Sequence, residues 1–236
     1  MKKLLTVAFA IAMTTASFNT FAQSIDDVVK SHIKAIGGED NWKKLKSMKT
    51  EMSMKAQGAE VKLSLWQVDK KALKVEINVM GMTGYQILTT ADGWQFMPFQ
   101  GQTKPEPMTA DDVKTGQDQL WIQDEFITYK EKGKKLQDLG KDEVEGTECY
   151  KISLTDKDGK VTTYFLDASN YHTIKSISKL TANGKEVEST SLYSNYKPIE
   201  GGLVMPFNTS GDQGEMEVTS IVMNPVIDES IFKVAK

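Results

Sequence analysis

The sequence predicts a mainly β (α+β) protein, a single strongly curved antiparallel sheet with helices laid against its concave side. Three observations carry that expectation. About twelve segments alternate apolar and polar residues with the period of two that half-buried strands require. Asp-Gly and Asn-Gly pairs separate several of them, a strong local sign of a tight hairpin. Helical periodicity appears only at the start and once midway, giving the order helix, strands, helix, strands.

The chain opens with Met1-Lys2-Lys3, continues through an apolar run over 4–13 and reaches Thr20-Phe21-Ala22. A basic start, a short apolar centre and small residues at the cleavage point describe a secretory signal peptide. Residues 1–22 are therefore expected to be removed, leaving 23–236 as one exported domain that does not span a membrane. The apolar run is about half the roughly 20 residues a bilayer crossing needs. No cysteine stands at the cleavage point, so there is no lipobox, and Cys149, the sole cysteine, cannot make an internal disulfide. Stability must then come from the hydrophobic core. Without Lys2 and Lys3 the chain has 27 basic and 32 acidic residues, a net charge of −5, which argues against nucleic acid as a partner. Every basic residue is lysine, so the planar fork that arginine offers to phosphate or carboxylate is lacking.

Ser24, followed by Ile25, Asp26 and Asp27, reads as a capped helix start. Ile25, Val28, Val29, His32, Ile33 and Ile36 form its apolar stripe, and Gly37-Gly38 ends it. Residues 39–47 form a second short helix with Trp42 and Leu45. Over 48–56 the period changes: Met48, Thr50, Met52, Met54 and Ala56 share one side, and Lys49, Glu51, Ser53 and Lys55 the other. Methionine is unbranched and repacks around irregular shapes, so this face either fills a core or adapts to acyl chains. Strands follow over 60–69, with Val61, Leu63 and Leu65 aligned, and 72–80, with Leu73, Val75, Ile77 and Val79 on one face. Segments 84–90 and 94–99 flank Asp92-Gly93. A proline-containing loop over 101–107 leads into a helical stretch over 109–129, capped by Thr109 and interrupted near Gly116. Its apolar residues include Leu120, Trp121, Ile122, Phe126 and Ile127, too many for one stripe, as in a helix that covers something. Strands resume over 136–144, 148–155, 161–167, 172–180, 185–196, 203–209 and 215–223, with hairpins at Asp158-Gly159 and Asn183-Gly184.

The inventory for chemistry is thin, and no catalytic residue is assigned. His32 lies on the apolar side of the first helix and His172 opens a strand, positions that suit packing or capping. Spacings for a metal site, a nucleophile elbow or a phosphate cradle are lacking, so neither a metal nor a cofactor is implied. Asp156-Lys157-Asp158-Gly159 has the opening of a calcium loop but not its remaining ligands, and reads as a hairpin. The pairs Asp111-Asp112 and Asp124-Glu125 point their carboxylates in different directions on a helix, as charges of a helix start or a solvated face do.

Several phrases resemble the outer membrane lipoprotein-sorting family, the LolA-like periplasmic carriers. They are Ala35-Ile36-Gly37-Gly38 with Trp42 and Leu45, Val144-Glu145-Gly146 with Tyr150-Lys151-Ile152-Ser153-Leu154, and Tyr164-Phe165-Leu166-Asp167. Ile174-Lys175-Ser176-Ile177, Gly201-Gly202-Leu203-Val204-Met205-Pro206 and Ile227-Asp228-Glu229-Ser230-Ile231-Phe232 complete the set. The resemblance spans 23–236 and implies an incomplete β-barrel whose apolar concave face is closed by lid helices. It implies a non-catalytic carrier in the periplasm, holding the acyl chains of a lipoprotein or lipid on the way to the outer membrane. Inner- and outer-membrane lipoprotein-transport components would be its further partners. On this chain the cargo face would be Met48, Met52, Met54, Val61, Leu63, Leu65, Val75 and Ile77, and the lid would use Leu120, Trp121 and Ile127. The family ties its lid with an arginine; here apolar contacts or a lysine would have to serve. The alternative is an envelope interaction module whose core is filled by its own side chains.

Overall fold

The computed structural model describes residues 23–56, 59–182, 185–212 and 214–234. The expected leader over 1–22 and the Asn183-Gly184 hairpin lie outside them. Two helices, α1 (Ile25–Ala35) and α2 (Glu39–Lys43), precede five strands: β1 (Ser47–Ala56), β2 (Ala59–Val68), β3 (Ala72–Val79), β4 (Met82–Thr89) and β5 (Gly93–Phe96). After a two-residue strand, β6 (Glu106–Pro107), come α3 (Ala110–Gly116), a 3-10 turn (Gln117–Leu120) and α4 (Glu125–Thr128). The chain then returns to strands with β7 (Lys135–Val144), β8 (Thr147–Thr155), β9 (Val161–Asp167), β10 (Thr173–Ala182), β11 (Lys185–Pro198), β12 (Val204–Gly211) and β13 (Gly214–Met223), and closes with a 3-10 turn at Glu229–Phe232.

The described strands form one antiparallel sheet in the order β6-β5-β4-β3-β2-β1-β13-β12-β11-β10-β9-β8-β7. β1 is near the middle, pairing with β2 on one side and β13 on the other. The ends of the list, β6 and β7, are joined in sequence by residues 108–134, which lie across the sheet. Leu120 packs against Leu73 of β3 and Leu88 of β4, while the Phe126 ring meets Tyr164 of β9 at 5.1 Å. β3 and β9 are seven strand steps apart, about 34 Å across a flat sheet at roughly 4.8 Å per step. Six residues of chain reach only about 22 Å. The sheet must therefore curl around this segment, giving an open, incompletely closed barrel.

α1 starts as its sequence requires: Ser24 accepts a hydrogen bond from the Asp27 amide, and Asp26 and Asp27 occupy the first turn. Val28, Val29 and His32 form its buried side. Its end is fixed by close backbone approach. Gly37 has φ +106°, and a Cβ there would lie 2.3 Å from the Gly202 carbonyl oxygen. The Ile36 carbonyl accepts from the Val204 amide at 3.1 Å and from the Trp42 indole at 3.1 Å. The two Gly-Gly pairs thus meet each other, docking the helix end on the turn before β12.

The stretch over 109–129 departs from a helix broken only near Gly116. It is two short helices, a 3-10 turn and four non-helical residues, 121–124. Leu120, Ile122 and Phe126 all point onto the sheet from well-separated places, which one helical stripe could not achieve. Hydrogen bonds to other segments replace the helical ones: the Leu120 carbonyl accepts from the Lys70 amide, and the Ile122 amide donates to Asp69. The opposite face of β2–β5 is also apolar. Trp66, Ala72, Tyr85, Ile87 and Trp94 pack beneath Ile227, Ile231 and Phe232 of the C-terminal segment.

Candidate functional site

Side chains directly opposite each other on paired antiparallel strands point the same way, so the register defines the lid-facing surface. Met48, Met52 and Met54 of β1 stand opposite Gln67, Leu63 and Val61 of β2. Val61, Leu63 and Leu65 in turn oppose Val79, Ile77 and Val75 of β3. All eight residues chosen from sequence for the cargo face therefore lie on one surface, the one that meets Leu120. They differ in burial. Met48 is 6% exposed and packed with Ile36, Trp42, Leu45 and Ile122, so it fills core. Val61 is buried as well. Leu65 and Val75 sit beneath Leu120 and Val113. Met52, Met54, Leu63 and Ile77 stay half-buried, an aliphatic and thioether patch within the curl of the sheet.

The lid residues also separate. Leu120 is 2% exposed and faces the sheet. Ile127 joins the cluster around Met48. Trp121 is placed differently: Lys70 Nζ lies 4.1 Å from its ring centroid and Lys132 Nζ 5.2 Å, so the indole serves as a platform for two ammonium groups.

The first end of the lid meets the sheet strands β2–β4 through neutral groups and makes one exposed ion pair, Lys114 to Asp158 at 3.5 Å. Gln67 Nε2 donates to the Gln119 carbonyl at 3.0 Å, and Gln117 Nε2 donates to the Thr89 carbonyl at 3.1 Å. Gly116 lies directly against Leu88. The second end adds ionic contacts to the packing of Phe126 and Tyr129 among Val28, Val29, Ile152, Leu154 and Leu166. His32 Nδ1 is 2.7 Å from the Tyr171 carbonyl oxygen, which only accepts, so Nδ1 carries a proton. Nε2 stands 3.4 Å from Asp124 Oδ1. Burial alone would lower the pKa of this imidazole, but the Asp124 carboxylate and the Tyr171 carbonyl outweigh it and hold it above the ordinary value of 6.5. Asp124 also caps α4 through the Phe126 amide at 2.8 Å. Next to it, Glu125 accepts from Lys132 at 2.6 Å and from Lys134 at 2.9 Å, and Asp118 bonds Lys134 at 2.5 Å. Burial opposes ionisation at both Asp118 and Lys134, yet their pairing lowers the pKa of the acid and raises that of the base. One histidine and two lysines thus meet three carboxylates.

The lid-facing surface carries hydroxyls on β9–β11 and is apolar again at Ile152, Leu154 and Leu166 of β8 and β9. Tyr164, which touches Phe126, stands opposite Ser176, and Ser176 opposite Ser191; Thr162, Ser178 and Ser189 form the next row. Thr162 and Ser178 hydroxyls are 3.1 Å apart, and Ser176 and Tyr193 hydroxyls 3.0 Å. Burial holds the Tyr164 phenol well above its usual pKa, hence neutral.

From sequence His32 suits packing or capping, and its ion-pair partner Asp124 is not legible there. Only the presence of a histidine on an apolar stripe hinted at it, because partners 92 or more residues away carry no local signature. His172 does pack, stacked on Tyr196 at 4.1 Å, with burial lowering its pKa. Asp156 closes its hairpin by accepting from the Asp158 and Lys160 amides. Cys149 is fully buried on the other face beside Phe165 and Val144.

No protein-family model matches the chain, and no curated protein does. Solved structures share its fold. A LolA superfamily protein from Nitrosomonas europaea aligns with a TM-score of 0.54 at 16% identity, covering 90% of this chain and 98% of that one. A domain provisionally named as outer membrane lipoprotein-sorting, from Vibrio parahaemolyticus, gives 0.52 at 15% identity over 87% and 94%. A DUF1329 family protein from Desulfovibrio piger gives 0.56 at 11% identity over 90% and 98%. The chain thus has the LolA-like fold over nearly its whole described length.

Proposed function

We propose that this protein is a non-catalytic periplasmic carrier that shelters acyl chains of a lipoprotein or lipid between the sheet and the lid. One observation carries the reading: Met52, Met54, Leu63 and Ile77 form a half-buried apolar patch, in register across β1–β3, on the surface that the lid overlies. Each buried methylene of a cargo chain contributes about 0.8 kcal/mol, so ten supply about 8 kcal/mol, the gross equivalent of a micromolar dissociation constant before ordering costs. The fold shared with a lipoprotein-sorting domain supports the same class of cargo, and the sequence of residues 1–22 supports export. Delivery towards the outer membrane would bring the carrier to inner- and outer-membrane transport components. No described helix is long and apolar enough to cross a membrane.

Native mass spectrometry of protein purified from the periplasm tests the reading, together with uptake of a fluorescent fatty acid. Co-purified lipid or saturable uptake is the expected result. Neither lipid nor uptake would instead support an interaction module with a filled core.

A further inference from the structure

Two oxygens beneath the lid have no hydrogen-bond partner although their residues are more than nine-tenths buried. Thr50 is 6% exposed and Gln123 9%, and Thr50 Oγ1 and Gln123 Oε1 are both unpaired. Thr50 belongs to the sheet, between Met48 and Met52 on the lid-facing surface, and stands opposite Leu65 and Ile221. Leu65 packs in the cluster of Leu120, and Ile221 in that of Ile122. Gln123 follows Ile122 directly, and its Nε2 donates to the carbonyl of Leu45, a member of the same cluster as Ile122. That bond fixes the orientation of the amide, because a carbonyl accepts only, and leaves Oε1 as a pure acceptor. Ile221, which Thr50 stands opposite, and Leu45, which Gln123 bonds, thus belong to one apolar cluster, and both the sheet hydroxyl and the lid carbonyl lack a partner.

Resting on the carrier reading, we infer that Thr50 and Gln123 form a polar anchor for cargo whose acyl chain carries a neutral hydrogen-bond donor at its head, a secondary amide or a hydroxyl. Such a group donates its one hydrogen to Gln123 Oε1 and accepts, through its oxygen, from the Thr50 hydroxyl. An ester offers acceptors alone and leaves Gln123 unpaired. An ionised carboxylate or phosphate also lacks the donor, and the cations nearest the lid are already matched, His32, Lys132 and Lys134 facing Asp118, Asp124 and Glu125. Sites built to hydrogen-bond a ligand group discriminate strongly against an analogue lacking it.

N-decylacetamide and decyl acetate are a matched pair, alike in length and shape and differing by N–H for O. Each is to be titrated as a competitor of a bound fluorescent fatty acid, with 1-decanol as a third arm that separates hydroxyl from amide. The amide or the alcohol should compete about tenfold better than the ester. Gln123→Met should bring that ratio close to one while leaving the ester unchanged, and Thr50→Val should reduce it; melting temperatures of both variants verify folding. Equal competition by all three in the wild type, as an ordered water alone would give, overturns the anchor and leaves the carrier reading intact. A preference unchanged in both folded variants overturns it equally. If the fluorescent fatty acid itself does not bind, the carrier reading fails and the anchor with it.

Discussion

The two ends of the lid are attached by different physics. From α3 to Leu120 the contacts with β2–β4 are aliphatic packing and neutral amide hydrogen bonds, and the charged Lys114 and Asp118 pair elsewhere, with Asp158 and with Lys132 and Lys134. From Asp124 to Lys134 charges are added to apolar packing: Phe126 and Tyr129 lie among Val28, Val29, Ile152, Leu154 and Leu166, while Asp124 meets His32 on α1 and a lysine pair meets Glu125 and Asp118. Apolar attachment is indifferent to pH, whereas charge pairing is not. The lid therefore has a permanent end and a titratable end, and the half-buried patch suited to a chain lies at the permanent one.

The largest expected effect comes from removing an anchor ring at the ionic end. Phe126 is 2% exposed and packs edge-on against both His32 and Tyr164, so Phe126→Ala should cost about 3–5 kcal/mol of stability in denaturant unfolding. Leu120→Ala at the other end should cost about 2–5 kcal/mol. The comparison predicts that the Leu120 deficit is the same on either side of neutrality. If that deficit tracked pH, the two ends would not be separable.

Next in size is the lysine pair. Lys132→Met leaves Glu125 without its partner at 2.6 Å, and Lys132 is 4% exposed while Glu125 is 26% exposed. Breaking a buried pair costs about 3–5 kcal/mol, and the exposure of the carboxylate reduces that to about 1–2 kcal/mol here. Chemical denaturation of the variant checks this, and a neutral outcome would remove Lys132 from the account.

The pH dependence should have two limbs. His32, with a folded pKa above 6.5, contributes stability that is fully present below 6.5 and is lost as pH rises through the raised value. The groups around it are Asp124 on the lid, the Tyr171 carbonyl, and His172, which burial keeps below its ordinary value. Asp118, lowered by Lys134 and Lys132, contributes stability present above 3.8 and lost as pH falls through its depressed value. A melting-temperature profile of the wild type should fall on the alkaline limb, and His32→Gln should flatten that limb alone. The smallest effect belongs to the hydroxyl rows: Ser178→Ala removes one 3.1 Å contact with Thr162 and should cost under about 1 kcal/mol.

How much of this was legible in the sequence follows the same division. The apolar half of the sheet was readable because its signal is local: Val61, Leu63 and Leu65 alternate, Val75 and Ile77 alternate, and the register then aligns them. The two-residue strand β6 was hidden in a loop, since two paired residues leave no periodicity. The lid reads from sequence as a helical stretch interrupted near Gly116 because apolar spacing marks burial without saying that Leu120, Ile122 and Phe126 reach different parts of a curled sheet. The tie was invisible for a different reason. His32, Asp124, Lys132 and Lys134 come from segments on either side of the first five strands, and only the fold brings histidine and carboxylate to 3.4 Å. Met48 shows the limit in the other direction: its face was right, but its place in the Trp42 and Leu45 cluster makes it core.

The claim that most needs testing is that chains bind on the patch at the permanent end. A fatty acid carrying a nitroxide on its chain broadens the NMR signals of groups close to it, and methionine methyls are convenient reporters. Broadening of the Met52 and Met54 methyl signals, with sparing of Met80, which is 82% exposed at the β3–β4 turn, is the predicted result. Unchanged Met52 and Met54 signals, or broadening confined to Met80, would contradict it.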